Sequence, residues 1–248
     1  MLRVTKILFS VFVLATLGIF SSSCGSDRAN VRFVHAAVSS GAQNVALDVA
    51  VDGKNVATAL AYGAVSPATG YTTIAAGSRK VEMSTTGTTD DLINSTIDFA
   101  SGRQYTLVAT GFVTPVTPPG NTSFNIAAVL LTDDNSAPSS GNFKVRILHA
   151  APYDGVTADN LDVYIVPPGK DISGLAPNIS NLIYGQASPY QSVAAASNQV
   201  IVTAAGTKTP TIINQPFGAA GQIRTLIVVN DQDGVTPSSS PVVLSDLN

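Results

Sequence analysis

The block Val31-Arg32-Phe33-Val34-His35-Ala36-Ala37 returns 114 positions later as Val145-Arg146-Ile147-Leu148-His149-Ala150-Ala151. Leu47-Asp48-Val49 returns at the same spacing as Leu161-Asp162-Val163, and each copy leads into a Gly-Lys turn (Gly53-Lys54; Gly169-Lys170). Further blocks follow in the same order: Leu60-Ala61-Tyr62-Gly63-Ala64-Val65-Ser66-Pro67 with Leu182-Ile183-Tyr184-Gly185-Gln186-Ala187-Ser188-Pro189, then Thr106-Leu107-Val108 with Thr225-Leu226-Ile227. Val129-Leu130-Leu131-Thr132-Asp133 is matched last, by Val242-Val243-Leu244-Ser245-Asp246. A period this long is too great for solenoid or propeller units and fits two domains of about 100 residues. The chain must therefore fold one architecture twice. The polar stretch DDNSAPSSGN (133–142) supplies the boundary.

Within each copy the apolar period is two. Val45, Leu47, Val49 and Val51 alternate with Ala46, Asp48, Ala50 and Asp52, and Leu161, Val163 and Ile165 repeat the pattern. Further runs rich in β-branched and aromatic residues cover Arg79–Ser84, Tyr105–Phe112, Ile126–Thr132, Gln199–Thr203 and Ile223–Val229. Gly, Pro, Asn and Asp clusters separate them. With only 12% charged residues, helix-forming surface residues are scarce. About seven short strands per hundred residues read as an antiparallel β-sandwich, given twice. A hydrophobic content of 45% excludes a disordered chain.

The amino terminus reads as an address. Arg3 and Lys6 precede an uncharged apolar run from Ile7 to Phe20, followed by Ser21-Ser22-Ser23 and then Cys24, the only cysteine of the chain. These are the parts of a secretory signal. As a helix the run would span about 21 Å, short of the ~30 Å hydrocarbon core. The small residues before Cys24 resemble the lipobox of bacterial lipoproteins, whose cysteine is acylated, although Ser21 stands where Leu is usual. The alternative is ordinary secretion with an incidental free thiol, an odd thing to keep in an oxidising compartment. Gly25, rather than Asp, after the cysteine suits the outer membrane of a Gram-negative cell. The expected organisation is signal peptide 1–23, lipidated tether 24–30, first repeat 31–133, linker 134–142 and second repeat 143–248.

Taken together, the lipobox-like segment and the twice-given VR-x-x-HA-A, LDV…GK and YG-x-x-SP blocks resemble the bacterial domain of unknown function 4397, which occurs in tandem in secreted and lipid-anchored proteins. The likeness spans most of 30–247. The chain departs from it in Ala37-Val38 and Ala151-Pro152, where a Ser-Pro-Asp-like turn is common. The resemblance implies two immunoglobulin- or transthyretin-like β-sandwiches in an extracytoplasmic place, and it implies no activity.

His35 and His149 are the only histidines and are repeat-matched. General acid–base or nucleophilic work would need a carboxylate or hydroxyl partner, for which Asp48 and Asp162 are the matched candidates. Strand phase opposes this pairing: His35 shares the side of Val31 and Phe33, whereas Asp48 points opposite to Leu47 and Val49. Ser66-Pro67 and Ser188-Pro189 lack the G-x-S-x-G elbow and read as turns. The acidic loops Asp133-Asp134-Asn135 and Asn230–Gly234 offer oxygens for calcium but no closing Glu. Tyr62 and Tyr184 are the candidate ligand-binding residues, able to stack on a sugar or peptide and equally able to cap a core. The Thr/Pro-rich segment 111–122 is expected to be an exposed hairpin loop.

With one Cys and two His, no metal centre and no cofactor are expected. A formal net charge of −3 gives no case for nucleic acid. The expected role is a non-enzymatic, lipid-anchored envelope protein that contacts the membrane through acylated Cys24 and presents loops to an envelope protein or glycan. The alternatives are a carbohydrate- or peptide-binding module, which predicts exposed tyrosines, and a hydrolase using His35 or His149.

Overall fold

The computed structural model describes residues 27–39, 45–113, 124–152, 160–214, 217–231 and 238–246, and every regular element among them is a strand. The first half contributes β1 (Arg28–His35), β2 (Leu47–Val51), β3 (Lys54–Leu60), β4 (Val65–Ser66), β5 (Thr72–Ala75), β6 (Gly77–Thr85), β7 (Asp91–Phe99), β8 (Gln104–Thr110) and β9 (Ala127–Thr132). The second half contributes β10 (Asn142–His149), β11 (Leu161–Val166), β12 (Ile179–Leu182), β13 (Gln191–Ala194), β14 (Gln199–Ala204), β15 (Pro210–Asn214), β16 (Ile223–Val228) and β17 (Val242–Ser245).

Each half is a two-sheet sandwich, and the strand order corresponds. In the first, the sheet β4-β1-β8-β9, with β5 also on β1, faces the sheet β3-β2-β6-β7. In the second, β13-β10-β16-β17 faces β12-β11-β14-β15. Val31, Phe33, Leu47, Val49, Val81, Met83 and Leu107 fill the first sandwich; Phe143, Val145, Ile147, Leu161, Val163, Val202 and Leu226 fill the second. Among the described residues no sheet is shared between the halves.

The all-β sandwich class expected from the sequence holds, with one added feature of strand direction. The sheets are mostly antiparallel, but β1 runs parallel to β8 and β10 runs parallel to β16. The chain leaves β1, builds strands of the facing sheet, and re-enters beside β1 in the same direction. Alternation reports which face a residue occupies and carries no strand direction, so this pairing had no sequence signature.

The repeated LDV block has a local cause. Asp48 Oδ1 accepts the Ala59 N–H at 2.7 Å and the Thr86 hydroxyl at 2.9 Å. Ala59 sits at φ 50°-range left-handed geometry (φ 51) beside a register shift in the β2–β3 pair. In the second half Asp162 accepts the N–H of Asn181, also left-handed at φ 56, and that of Gly206, both at 2.9 Å. Each carboxylate thus satisfies a backbone donor that a bulge has turned out of the ladder. The Ala59 N–H bond, foremost, holds the Asp48 carboxyl below its usual range.

Candidate functional site

The face that most resembles a site lies between the halves. In β1 the side chains of Val31, Phe33 and His35 enter their own sandwich, so Arg32, Val34 and Ala36 project from the opposite face of the sheet. That face is normally solvated in a sandwich, yet Val34, Ala36, Val108 and Leu131 pack there against Leu148, Ala150, Ile227, Val229 and Leu244 of the second half. A third apolar core results, shared by both copies. It explains why β1 and β10 are buried almost residue for residue, with no polar alternation.

Four charges are sealed into this core. Arg32, only 3% exposed, donates from Nε to Thr106 Oγ1 (2.7 Å), from Nη1 to the Ser245 carbonyl (2.8 Å) and from Nη2 to Asp246, with Asp133 3.5 Å away. Arg146 repeats the pattern from the other copy: Nη1 reaches the Thr132 carbonyl (2.9 Å), Nη2 reaches Asp133 (2.6 Å), and Thr225 Oγ1 accepts from Nε at 3.2 Å. Asp133 Oδ2 accepts from Thr106 (2.7 Å) and Tyr71 (2.8 Å); Asp246 Oδ2 accepts from Thr225 (2.6 Å) and Tyr190 (2.8 Å). Each arginine therefore bonds the aspartate of the opposite half, a reciprocity of the kind found across a twofold.

Two arginines against two aspartates leave the cluster neutral, which is what makes its burial tolerable. Burial by itself would lower the Arg32 pKa, but the Asp246 and Asp133 charges outweigh it and the guanidinium is held more firmly charged than usual. The Tyr71 and Tyr190 hydroxyls are pushed up, first by burial and then by the carboxylates they face. Their rings lie over the arginines, Tyr71 5.2 Å from Arg32 and Tyr190 4.6 Å from Arg146.

His35 is fully buried, and its Nε2 bonds the Val45 carbonyl at 2.9 Å, so Nε2 carries the proton. Its Nδ1 has no hydrogen-bond partner among the described residues, and desolvation lowers its pKa. Asp48 is engaged with Ala59 and Thr86 instead, so the structure does not bring this histidine and aspartate together. Asp162 is likewise engaged, with Asn181 and Gly206. His149 is also fully buried.

Tyr62 and Tyr184 sit edge-on to these histidines, with ring centroids 5.8 Å from His35 and 5.9 Å from His149. Both are half-buried, and both reach across to the other copy. The Tyr62 hydroxyl donates to the Asn230 carbonyl at 2.6 Å, and the Tyr184 hydroxyl lies 3.3 Å from Thr110 Oγ1, which itself donates to the Ala150 carbonyl. Burial raises the Tyr184 pKa.

Ser188 Oγ accepts the Ile147 N–H and donates to the Pro189 carbonyl, the work of a turn residue. Of the acidic loops, Asp133 belongs to the charge cluster. Asp134 is held to a pKa of about 2, first by Lys144 and then by Ser136. Among the described residues no group of three or more His, Cys, Asp or Glu could hold a metal ion. Cys24, most of Asn230–Gly234 and most of segment 111–122 lie outside the described residues.

The arginine–aspartate cluster was missed from sequence. Its signal was present: one charge inside an otherwise apolar strand, VRFVH and VRILH, and an Asp closing the last strand of each copy.

Fold and site together define an all-β protein of two sandwich units clasped face to face by a buried, neutral charge cluster. The chain belongs to the family of the domain of unknown function DUF4397, whose family model matches residues 29–164, more than half of its length. The match covers the first half and continues through β10 into β11, so it includes both arginines of the cluster. No curated protein matches the chain.

Proposed function

We propose that the protein is a non-enzymatic, lipid-anchored protein of the bacterial cell envelope, most consistent with the outer membrane, with a structural or interaction role. The observation that supports this reading is that Asp27 lies at the end of the body opposite the Tyr-Gly turns of both halves. Asp27, Gly102 and Asp133 meet at one end of the first half, where Gly102 N–H reaches the Arg28 carbonyl and Asp133 N–H the Gln104 carbonyl. Gly221, Asn142 and Asp246 meet at the same end of the second, and Arg32 and Lys144 tie these ends together. The Tyr62-Gly63 and Tyr184-Gly185 turns, with Val113, Phe124 and Ala150, gather at the opposite end.

Cys24 precedes Asp27 by three residues, a reach of at most about 11 Å. An acyl anchor there would hold the Asp27 end against the bilayer and direct the turns of both copies away from it. Several acyl chains on one residue anchor stably where a single chain does not. The non-enzymatic part is supported by the histidine and aspartate geometry: Nε2 of His35 is committed to a carbonyl, and Asp48 and Asp162 to backbone donors.

Intact mass of the detergent-extracted protein, beside Cys24→Ser, tests the reading. A mature chain beginning at Cys24 with acyl-sized additions, absent from Cys24→Ser, is the expected result. An unmodified, freely soluble chain would overturn it.

A further inference from the structure

Each copy keeps one exposed cation that the charge cluster does not use. Gly53-Lys54 and Gly169-Lys170 close equivalent turns, with both glycines at φ 75. In the first half the Asp52 N–H bonds the Lys80 carbonyl early in β6, and the Ala76 N–H just before β6 bonds the Asp27 carbonyl. In the second, the Gly169 N–H bonds Gln199 Oε1 at 2.9 Å, beside the loop whose Ala195 N–H reaches the Gly141 carbonyl. Both turns therefore sit at the Asp27 end of the body. Lys54 and Lys170 are exposed there, and neither forms an ion pair among the described residues.

Three more cations without ion pairs share that end. Arg28 opens β1, Arg103 follows Gly102, whose N–H bonds the Arg28 carbonyl, and Arg224 lies opposite Ser245. Arg28 and Arg103 are exposed and Arg224 is half-exposed. Around them Asp52, Glu82 and Asp134 are taken by Arg79, Lys80 and Lys144, which leaves the exposed acids Asp27, Asp98 and Asp171 against five cations. The opposite end is acidic. Asp48 and Asp162 lie there under the bulges, Asp90 and Asp91 enter β7 there, and Asp231 follows Asn230, whose carbonyl accepts from Tyr62. Among the described residues the one cation at that end is Lys208, which donates to the Tyr164 hydroxyl at 2.7 Å and to the Leu175 carbonyl. The body is thus polarised along its length, basic where the chain arrives from Cys24 and acidic where the Tyr-Gly turns lie.

We propose that the Asp27 end docks on an anionic bilayer surface, with Arg28, Lys54, Arg103, Lys170 and Arg224 against the phosphates of lipid headgroups. These cations come from both halves, so the two sandwiches would stand side by side on the membrane, with the acidic end repelled outward. The reach of at most about 11 Å from Cys24 to Asp27 is close to the Debye length of about 10 Å at 0.1 M ionic strength, so the tether keeps the cations within the field of the surface. A basic patch beside an acyl anchor is a second membrane signal of a different kind. The proposal rests on the tether at Cys24 and adds the charge of the surface that the tether meets.

The chain from Cys24 onward keeps every described strand, and its single thiol can be coupled to a maleimide-bearing lipid, so docking is read whether or not the cell acylates that residue. Amide hydrogen exchange is compared on vesicles of neutral phosphatidylcholine and on vesicles with about one third phosphatidylglycerol. On the anionic vesicles, exchange in the turns 52–54, 101–103 and 167–170 should slow at least about three-fold, and about 0.5 M salt should restore it. The turn 86–89 at the opposite end should not change. The triple variant Lys54→Gln/Arg103→Gln/Lys170→Gln alters exposed turn residues whose side chains form no ion pair, so it should fold like the parent and lose the slowing. Equal exchange on both vesicles, slowing at 86–89, or a triple variant that behaves like the parent would overturn the proposal. Slowing of the same turns by inorganic phosphate on neutral vesicles would overturn it too, in favour of a discrete anion site. A coupled chain that docks, while the protein from cells carries no acyl groups, would sink the anchor alone. An acylated chain that ignores the headgroup charge would sink the docking alone.

Discussion

Arg32 and Asp246 are 214 positions apart and form an ion pair in which both side chains are almost wholly buried. Breaking such a pair from one side leaves an uncompensated charge in a dry place, which costs about 3–5 kcal/mol. Arg32→Met should therefore lower stability to chemical denaturation by about that amount. The companion Arg32→Met/Asp246→Asn should recover part of it, because the stranded charge is gone. Both halves should unfold in one transition, the pair being shared. Additive effects of the two substitutions would show that the pair contributes no coupling.

The bulge offers a gain. A non-glycine residue in the left-handed region costs about 1–2 kcal/mol, and Ala59 has no side-chain polarity to offset it. Ala59→Gly should raise stability by about 0.5–1 kcal/mol, provided Asp48 keeps its bond to the residue 59 N–H. Asn181→Gly should gain less, since Asn tolerates this geometry. Thermal unfolding of the two variants side by side gives the comparison, and a loss of stability in Ala59→Gly would refute it.

Glycine at 111 is required by contact as well as by φ. A Cβ there would lie 2.5 Å from the Asn125 carbonyl oxygen, at φ +96. Gly111→Ala should cost about 2–4 kcal/mol. At Gly87, with φ +80 and nothing within 4 Å, the same change should cost about 1 kcal/mol. Equal melting temperatures for the two variants would contradict the close approach of Gly111 to Asn125.

Stability should fall on both sides of neutrality. His35 is buried neutral, with its pKa below the ordinary value. The unfolded chain therefore takes up that proton first, and the stabilisation present above about pH 6.5 is lost as pH falls toward the depressed value. Tyr71 and Tyr190 carry raised pKa values, so their contribution is present below about pH 10 and is lost as pH rises beyond it. Melting curves from pH 4.5 to 11 should show both declines. His35→Leu should flatten the acid limb and leave the alkaline one; an unchanged acid slope would exclude His35 as its source.

How far the sequence was legible depends on how many faces a strand buries. In β2, Leu47, Val49 and Val51 are buried while Asp48 and Ala50 are half-exposed, so alternation reported the core side directly. β1 and β10 bury both faces, so Val34 and Leu148 read as ordinary core and their role between the copies had no periodic mark. The strand Asp91–Phe99 escaped notice because an edge strand exposes Asn94, Ser95 and Thr96, which resemble loop residues. The opposed phases of His35 and Asp48 were readable, whereas the partner that Arg32 would find lay beyond any local pattern.

The reciprocal charge cluster also sets a timetable for synthesis. Its members leave the ribosome in the order Arg32, Asp133, Arg146, Asp246. Once the first half is complete, Arg32 has only Asp133 for a counter-ion, at the longer 3.5 Å contact. Arg146 then emerges and claims the same carboxylate, leaving two cations to one anion until β17 and Asp246 arrive. The nascent first half thus holds its pairing face open, apolar and overcharged, through the translation of about a hundred residues. A chaperone that shields this face, or a pause before β17, would act on the one interval when the protein is most exposed to wrong partners.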